Sequence, residues 1–197
     1  MTEHTAVELV GAAAGLACVW LVARASIWNW PVSILNTSLY FLVFLRARLY
    51  GDALLQVVFT ALGIYGWWSW RFGGALGTEL PIRRAIRTEV LGGGALALAG
   101  TGFAAFVLAR GTDSPVPIWD GSVLVLSLVA TWAQAKKILE SWWVWILVDV
   151  ISVPLYVVRE LYPTAVLYTL FLAICLVGLR NWLRLLVERE ASAVAAR

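Results

Sequence analysis

Seven apolar runs, each close to the roughly 20 residues that carry a helix across bilayer hydrocarbon, account for most of this chain. They lie near 6–23, 28–45, 52–70, 90–109, 118–135, 142–158 and 163–181. A chain built this way solvates itself in lipid. Hydrophobic residues make up 61% of the 197, charged residues only 14%, and mean hydropathy is +0.83. A soluble domain holds roughly 25% charged residues because its surface faces water. The expected fold is an all-α membrane protein: a single transmembrane domain over 1–197, with no length left for a soluble one. The first run follows Glu3 and His4 instead of a basic segment and shows no clear cleavage site, so it is read as a retained helix. Cys18 and Cys175 sit inside apolar runs, where two isolated cysteines give neither a disulfide framework nor a metal pattern.

The basic residues orient the chain. Arg24, Arg71, Arg83, Arg84, Arg87, Lys136, Lys137, Arg180, Arg184, Arg189 and Arg197 flank one side of the predicted spans. Arg46, Arg48, Arg110 and Arg159 flank the other. Cytoplasmic loops hold the excess of Lys and Arg, so the N-terminus should lie outside and the C-terminus in the cytoplasm. A net charge of only +3, scattered between apolar runs, argues against a nucleic-acid partner.

An internal repeat runs through the spans. Leu49, Tyr50, Ala53, Leu55, Phe59, Gly66 and Trp70 recur in an ungapped register as Leu161, Tyr162, Ala165, Leu167, Phe171, Gly178 and Trp182. Ahead of each copy, Trp28-x-Trp30 and Tyr40 are echoed by Trp143-x-Trp145 and Tyr156. The expected architecture is therefore two three-helix repeats (6–70 and 118–182) joined by a linker helix (90–109), a 3+1+3 order. Equivalent helices are an even number of spans apart, so the repeats run parallel. Parallel repeats related by an axis along the membrane normal are a transporter plan, with the substrate site between them near midplane.

Polar residues within the spans fall on helical faces. The second span carries Asn29, Ser33, Asn36 and Tyr40, and the third Gln56, Thr60, Gly63 and Trp67. The fifth carries Asp120, Ser127, Thr131 and Gln134. The sixth carries Trp142, Trp145, Asp149, Ser152 and Tyr156, and the seventh Thr164, Tyr168 and Cys175. Lipid cannot hydrogen-bond these groups, so the stripes should face one another or a wet cavity. The first and fourth spans lack such stripes, as expected of peripheral or connecting helices. For a single Ser or Thr, packing between helices is the commoner use of the hydroxyl. Asn36, Gln56 and Asp149 are costlier to bury and so better site candidates. Half of the twelve tryptophans suit an interfacial belt, but Trp67 and Trp145 lie about a turn inside their spans and align with the stripes. Aromatic walls with Asn, Gln and Tyr groups suit a flat, hydroxylated ring compound. No Arg or Lys sits deep in a span to neutralise a phosphate, whereas a cation would find Trp faces and the Asp149 carboxylate.

Two rival classes fare poorly. The only histidine is His4, so the spans hold no histidine base and no zinc site. Asp120 and Asp149 begin near opposite faces, which disfavours a coupled aspartyl pair. A retinal pigment needs a lysine in the last span, and the only lysines are Lys136 and Lys137. The chain is read as no enzyme, and no cofactor or metal is expected.

The segment Lys137–Tyr156, with Trp142, Trp145 and Asp149, resembles the Pnu-type vitamin transporters, in particular the PnuC type that carries nicotinamide riboside. The stretches Leu49–Gln56 and Tyr65–Trp70 resemble that family's third helix, and Gly178–Trp182 its C-terminal end. The resemblance covers most of the chain from Trp28 to Trp182 and is weakest in the first and fourth spans. It implies a 3+1+3 fold related to the SWEET sugar transporters, a bacterial inner-membrane setting, a homotrimer, and facilitated diffusion of an unphosphorylated vitamin for NAD biosynthesis. A cytoplasmic kinase would trap the cargo by phosphorylation. By stripe and by similarity the expected substrate-binding residues are Asn36, Gln56, Thr60, Trp67, Trp142, Trp145, Asp149, Tyr156 and Tyr168. Relatives of this type carry thiamine, riboflavin or deoxynucleosides, and an ion-coupled mechanism through Asp149 stays open beside the uniporter.

Overall fold

In the computed structural model the chain forms helices α1 (Glu3–Ala23), α2 (Asn29–Arg46), α3 (Tyr50–Phe72), α4 (Arg87–Gly111), α5 (Pro117–Ala135), α6 (Ser141–Val158) and α7 (Tyr162–Ala195). The structure describes residues 3–46, 48, 50–112 and 115–195, with side chains from residue 11 onward. Leu49 of the repeat, Arg197 and the His4 side chain lie outside that set. Helices α4 to α7 are each long and apolar enough to cross a membrane, and α1 is apolar over Gly11–Ala23. In α2 and α3 the polar stripes dilute the apolar content. The seventh helix runs well beyond the expected 181. Its extension carries an Arg184–Glu188 pair one turn apart (3.7 Å) and docks Arg189 Nη1 on the Ile82 carbonyl (3.3 Å).

The two triplets correspond through one shift of 112 positions, the separation of Trp70 and Trp182. That shift carries the ends of α1, α2 and α3 onto those of α5, α6 and α7: Ala23 onto Ala135, Asn29 onto Ser141, Arg46 onto Val158 and Tyr50 onto Tyr162. It also carries the turns. Ala25 (φ 53) matches Lys137 (φ 48), and Arg48 (φ 59) matches Glu160 (φ 59), so both tight corners use a left-handed residue at the same place. Even the surface follows: Arg24 lies over the Trp20 ring at 5.0 Å and Lys136 over Trp132 at 4.5 Å.

The core at the basic end of the bundle is a chain of four indoles. Trp30 meets Trp70 edge-on (5.5 Å, 88°), Trp142 meets Trp182 in the same way (5.5 Å, 89°), and Trp70 and Trp182 touch across the pseudo-twofold (5.9 Å). Edge-to-face geometry places positive ring edges on negative faces and adds about 0.5–1.5 kcal/mol per pair. Glycine makes this approach fit. A Cβ on Gly66 would overlap the Trp30 indole, and one on Gly178 would overlap Trp142. Each central indole then reaches into the other repeat: Trp70 Nε1 donates to Gln134 O and Trp182 Nε1 to Val22 O, both at 2.9 Å. The same carbonyls close the two corners, accepting from Lys137 N (3.0 Å) and Ala25 N (2.8 Å). The repeats are thus cross-braced through matched bonds.

This geometry corrects two sequence expectations. Trp30 pairs with Trp142 and not with Trp145, because the register fixed by α3 and α7 continues unbroken into α2 and α6. The echoes Trp28/Trp143, Trp30/Trp145 and Tyr40/Tyr156 are out of step with it. Nor is α1 peripheral. It packs on α7 as α5 packs on α3, and both contacts join the repeats.

Helix α4 packs chiefly on α5, through close approaches of Gly100 to Val125 and of Gly121 to Ala104. Its start is fastened to the corner between α5 and α6. Arg83 N donates to Lys137 O (3.1 Å) and Leu139 N to Arg83 O (2.9 Å). Glu89 receives both Arg83 guanidinium nitrogens at 2.7 Å and Lys136 Nζ at 3.3 Å, and Glu140 receives Ala85 N at 2.7 Å. The Glu89 hydrogen bonds hold the Arg83 guanidinium above its ordinary pKa.

Candidate functional site

A cavity of about 250 Å³ lies between the repeats, above the four-indole layer. That is just below the roughly 300–1,000 Å³ usual for ligand pockets, a size for one small molecule. Helix α1 lends Gly15, Cys18, Val19 and Val22, and α2 lends Asn29, Trp30, Ser33, Asn36 and Thr37. From the second repeat come Thr131 and Gln134 of α5, Trp142, Trp145 and Asp149 of α6, and Tyr168, Phe171 and Cys175 of α7. Phe59 is the single contribution of α3.

The walls divide by chemistry. Trp30 and Trp142 form the floor, and both leave a buried Nε1 donor without a protein partner. Phe59 and its repeat mate Phe171 form an aromatic pair on α3 and α7. Trp145 stands half-buried on one wall, its Nε1 donating to Gln134 Oε1 at 3.3 Å. The amide thereby fixes the indole plane. One turn further along α6 is Asp149, 3% exposed, whose Oδ2 has no hydrogen-bond partner. Asn36 lines the cavity from α2. The Tyr156 ring packs on Tyr168 at 5.0 Å, which packs on Phe171 at 5.6 Å. None of the lining residues is Lys, Arg or His. Lys137, nearest of the lysines to the indole layer, lies over the Trp70 ring at 4.5 Å, and burial pushes its ammonium below the ordinary lysine pKa.

Of the residues expected from sequence, Asn36, Trp142, Trp145, Asp149 and Tyr168 meet around this one cavity. Tyr156 stands behind Tyr168. Thr60 faces Thr37, hydroxyl to hydroxyl at 2.7 Å, and braces α3 on α2. Gln56 is half-buried outside the lining. Trp67 is 45% exposed on the outer face of α3, so it is not a cavity wall; the buried face of α3 is Gly63, Gly66 and Trp70. Lining residues absent from the expected set are Asn29, Trp30, Ser33, Thr37, Phe59, Thr131, Gln134, Phe171, Cys175 and the α1 positions. Gln134 was visible in the α5 stripe, whereas Gly15 and Val19 carry no polar mark in the sequence.

A pseudo-symmetric seven-helix bundle around a partly open cavity of aromatic and polar groups, with one carboxyl and no basic residue in its lining, defines a multi-pass membrane transporter. Comparison with known proteins gives the same class and makes it specific. The family model described as nicotinamide mononucleotide transporter matches residues 5–184, and the chain belongs to that family. It is 29% identical to the nicotinamide riboside transporter PnuC of Escherichia coli, with 96% of this chain and 90% of that protein covered. It is 32% identical to the riboflavin/roseoflavin transporter RibM of Streptomyces davaonensis over 89% of this chain and 83% of that protein. A crystal structure of the vitamin B3 transporter PnuC matches with a TM-score of 0.71 at 26% identity, covering 92% of this chain and 82% of that one. The chain is a transporter and not an enzyme.

Proposed function

We propose that the chain mediates facilitated uptake of unphosphorylated nicotinamide riboside across a bacterial inner membrane. The N-terminus lies outside and the C-terminus in the cytoplasm, where a kinase traps the product by phosphorylation and feeds NAD synthesis. The protein works as a homotrimer, each copy holding its own cavity. One observation carries the cargo assignment: an aromatic, hydroxyl- and amide-bearing cavity of single-ligand size with no basic residue in its lining. A nicotinamide ring stacks on Trp145, and the ribose finds Asn36 and Tyr168. Phosphate recognition relies on Arg or Lys, and here it would be left without a partner. A mononucleotide, the cargo in the family's description, is therefore a poor ligand for this member.

Likeness to the riboflavin/roseoflavin transporter supports a second reading, in which an isoalloxazine occupies the same cavity. Calorimetric titration of the purified protein with nicotinamide riboside, nicotinamide mononucleotide, thiamine and riboflavin separates the two. Saturable binding of the riboside, with none of the mononucleotide, is expected. Binding of riboflavin alone would move the assignment to the second reading, and binding of the mononucleotide would contradict the phosphate argument.

A further inference from the structure

A second cavity lies on the outside of the bundle, where the linker helix meets both repeats. It is a groove of about 460 Å³ between α3, α4 and α5, and it shares no lining residue with the central cavity. Val58 and Leu62 of α3, Leu96 of α4, and Leu128 and Val129 of α5 make its walls apolar. No residue of α4 is buried, so the groove lies at the lipid-facing surface. Its depth comes from Gly92 and Gly93. Glycine inside a helix is destabilising relative to alanine, and elsewhere in this chain it makes room for an indole. Here a Cβ on Gly92 would meet nothing within 4 Å, and one on Gly93 only Val129 at 3.8 Å.

The groove ends in positive charge. Thr88, Glu89 and Trp132 line it at the basic end of the bundle. The Glu89 carboxylate holds Arg83 and Lys136, whose side chains remain 34% and 31% exposed, and the Lys136 ammonium lies over the Trp132 ring. Two cations on one carboxylate leave a charge uncompensated, and the exposed Arg87 at the start of α4 adds another. An apolar trough closed by excess positive charge is complementary to an acyl chain beneath an anionic headgroup; basic pockets between transmembrane helices hold such headgroups. A second copy docking through its own α4 would bring one carboxylate, Glu89, which is already paired.

We infer that this groove is a binding site for an anionic phospholipid, with an acyl chain along Gly92 and Gly93 and the phosphate facing Lys136 and Arg87. On the orientation proposed above, the lipid comes from the cytoplasmic leaflet. Because α3 and α5 belong to different repeats, the bound lipid bridges them through the linker helix. The matching pair in the first repeat, Arg24 over Trp20, sits on α1, which packs on α7 and α2 instead. It serves as an internal control for diffuse surface charge.

The test titrates the full-length protein in nonionic detergent with dioleoyl phosphatidylglycerol and dioleoyl phosphatidylcholine, read by native mass spectrometry and melting temperature. Wild type is expected to retain phosphatidylglycerol in preference and to melt higher with it. Lys136→Gln leaves the Arg83–Glu89 pair in place and should cut the preference about fivefold, the scale of one basic residue at an anionic membrane surface. Gly92→Leu fills the trough at a position open to a side chain and should abolish retention of both lipids. Arg24→Gln should leave the preference unchanged. Equal retention of the two lipids by wild type overturns the inference, as does an equal loss of preference in Arg24→Gln and Lys136→Gln. Oligomer dissociation in Gly92→Leu with lipid retention intact also overturns it and assigns the face to a second copy of the chain.

Discussion

Trp145 and Gln134 show what a single contact does here. The amide oxygen of Gln134 holds the indole at 3.3 Å, so the ring is oriented before a ligand arrives. Removing the ring in Trp145→Ala should weaken riboside binding by roughly 5- to 150-fold, the range of one aromatic stacking contact at about 1–3 kcal/mol. Gln134→Leu keeps the ring and frees it. Its expected cost is that of one net hydrogen bond, about 0.5–1.5 kcal/mol, or roughly 2- to 10-fold in affinity. Calorimetry on both variants checks the order; a larger loss for Gln134→Leu than for Trp145→Ala would contradict it. At this scale the sequence was informative where a residue is both polar and periodic. Asn36, Asp149 and Tyr168 are legible for that reason. Trp67 was misleading because a tryptophan a turn inside a span looks the same whether its face meets a cavity or lipid. The face is decided by Gly63 and Gly66, which let α3 approach α2 on the opposite side.

Between elements, the bundle is organised by glycine meeting tryptophan twice. Gly66→Ala and Gly178→Ala each force a methyl into an indole, and overpacking of this kind costs about 1–3 kcal/mol. Because the two sites are pseudo-symmetric, the two variants should lower the melting temperature in detergent by similar amounts. A large drop in one alone would show that the repeats do not share the load. Trp70→Phe and Trp182→Phe test the cross-brace more gently. Each deletes one indole N–H and keeps an aromatic ring, while the acceptor carbonyl retains its corner bond. The expected loss is about 1 kcal/mol, or roughly 2–4 °C for a chain of this size; no measurable shift would contradict the brace. The repeat was visible in α3 and α7 because their identities are dense. It was misread in α2 and α6, where tryptophans are so frequent that Trp30 found a false partner three positions from the true one. The role of α1 was hidden altogether: small apolar residues read alike whether they line a cavity or face lipid.

For the whole molecule, the seven helices and their 3+1+3 order followed from span length and the spacing of the repeat, which bilayer thickness and parity constrain tightly. The cavity between the repeats is the consequence of that order, since α1 with α7 and α5 with α3 enclose a space that α2 and α6 fill only partly. Polar stripes pointed to its existence, and the pseudo-symmetry explains its position. What the symmetry does not supply is direction, because a cavity between parallel repeats serves a uniporter and an ion-coupled carrier equally. Asp149 is the single carboxyl among the lining residues, and that scarcity favours the uniporter reading. The central claim is therefore equilibration of an unphosphorylated riboside, and uptake of labelled nicotinamide riboside into proteoliposomes tests it most directly. The account predicts saturable entry that stops when inside and outside concentrations match, unchanged by an imposed proton or sodium gradient, with no entry of the mononucleotide. Accumulation above the outside concentration under either gradient, or entry of the mononucleotide, would contradict it.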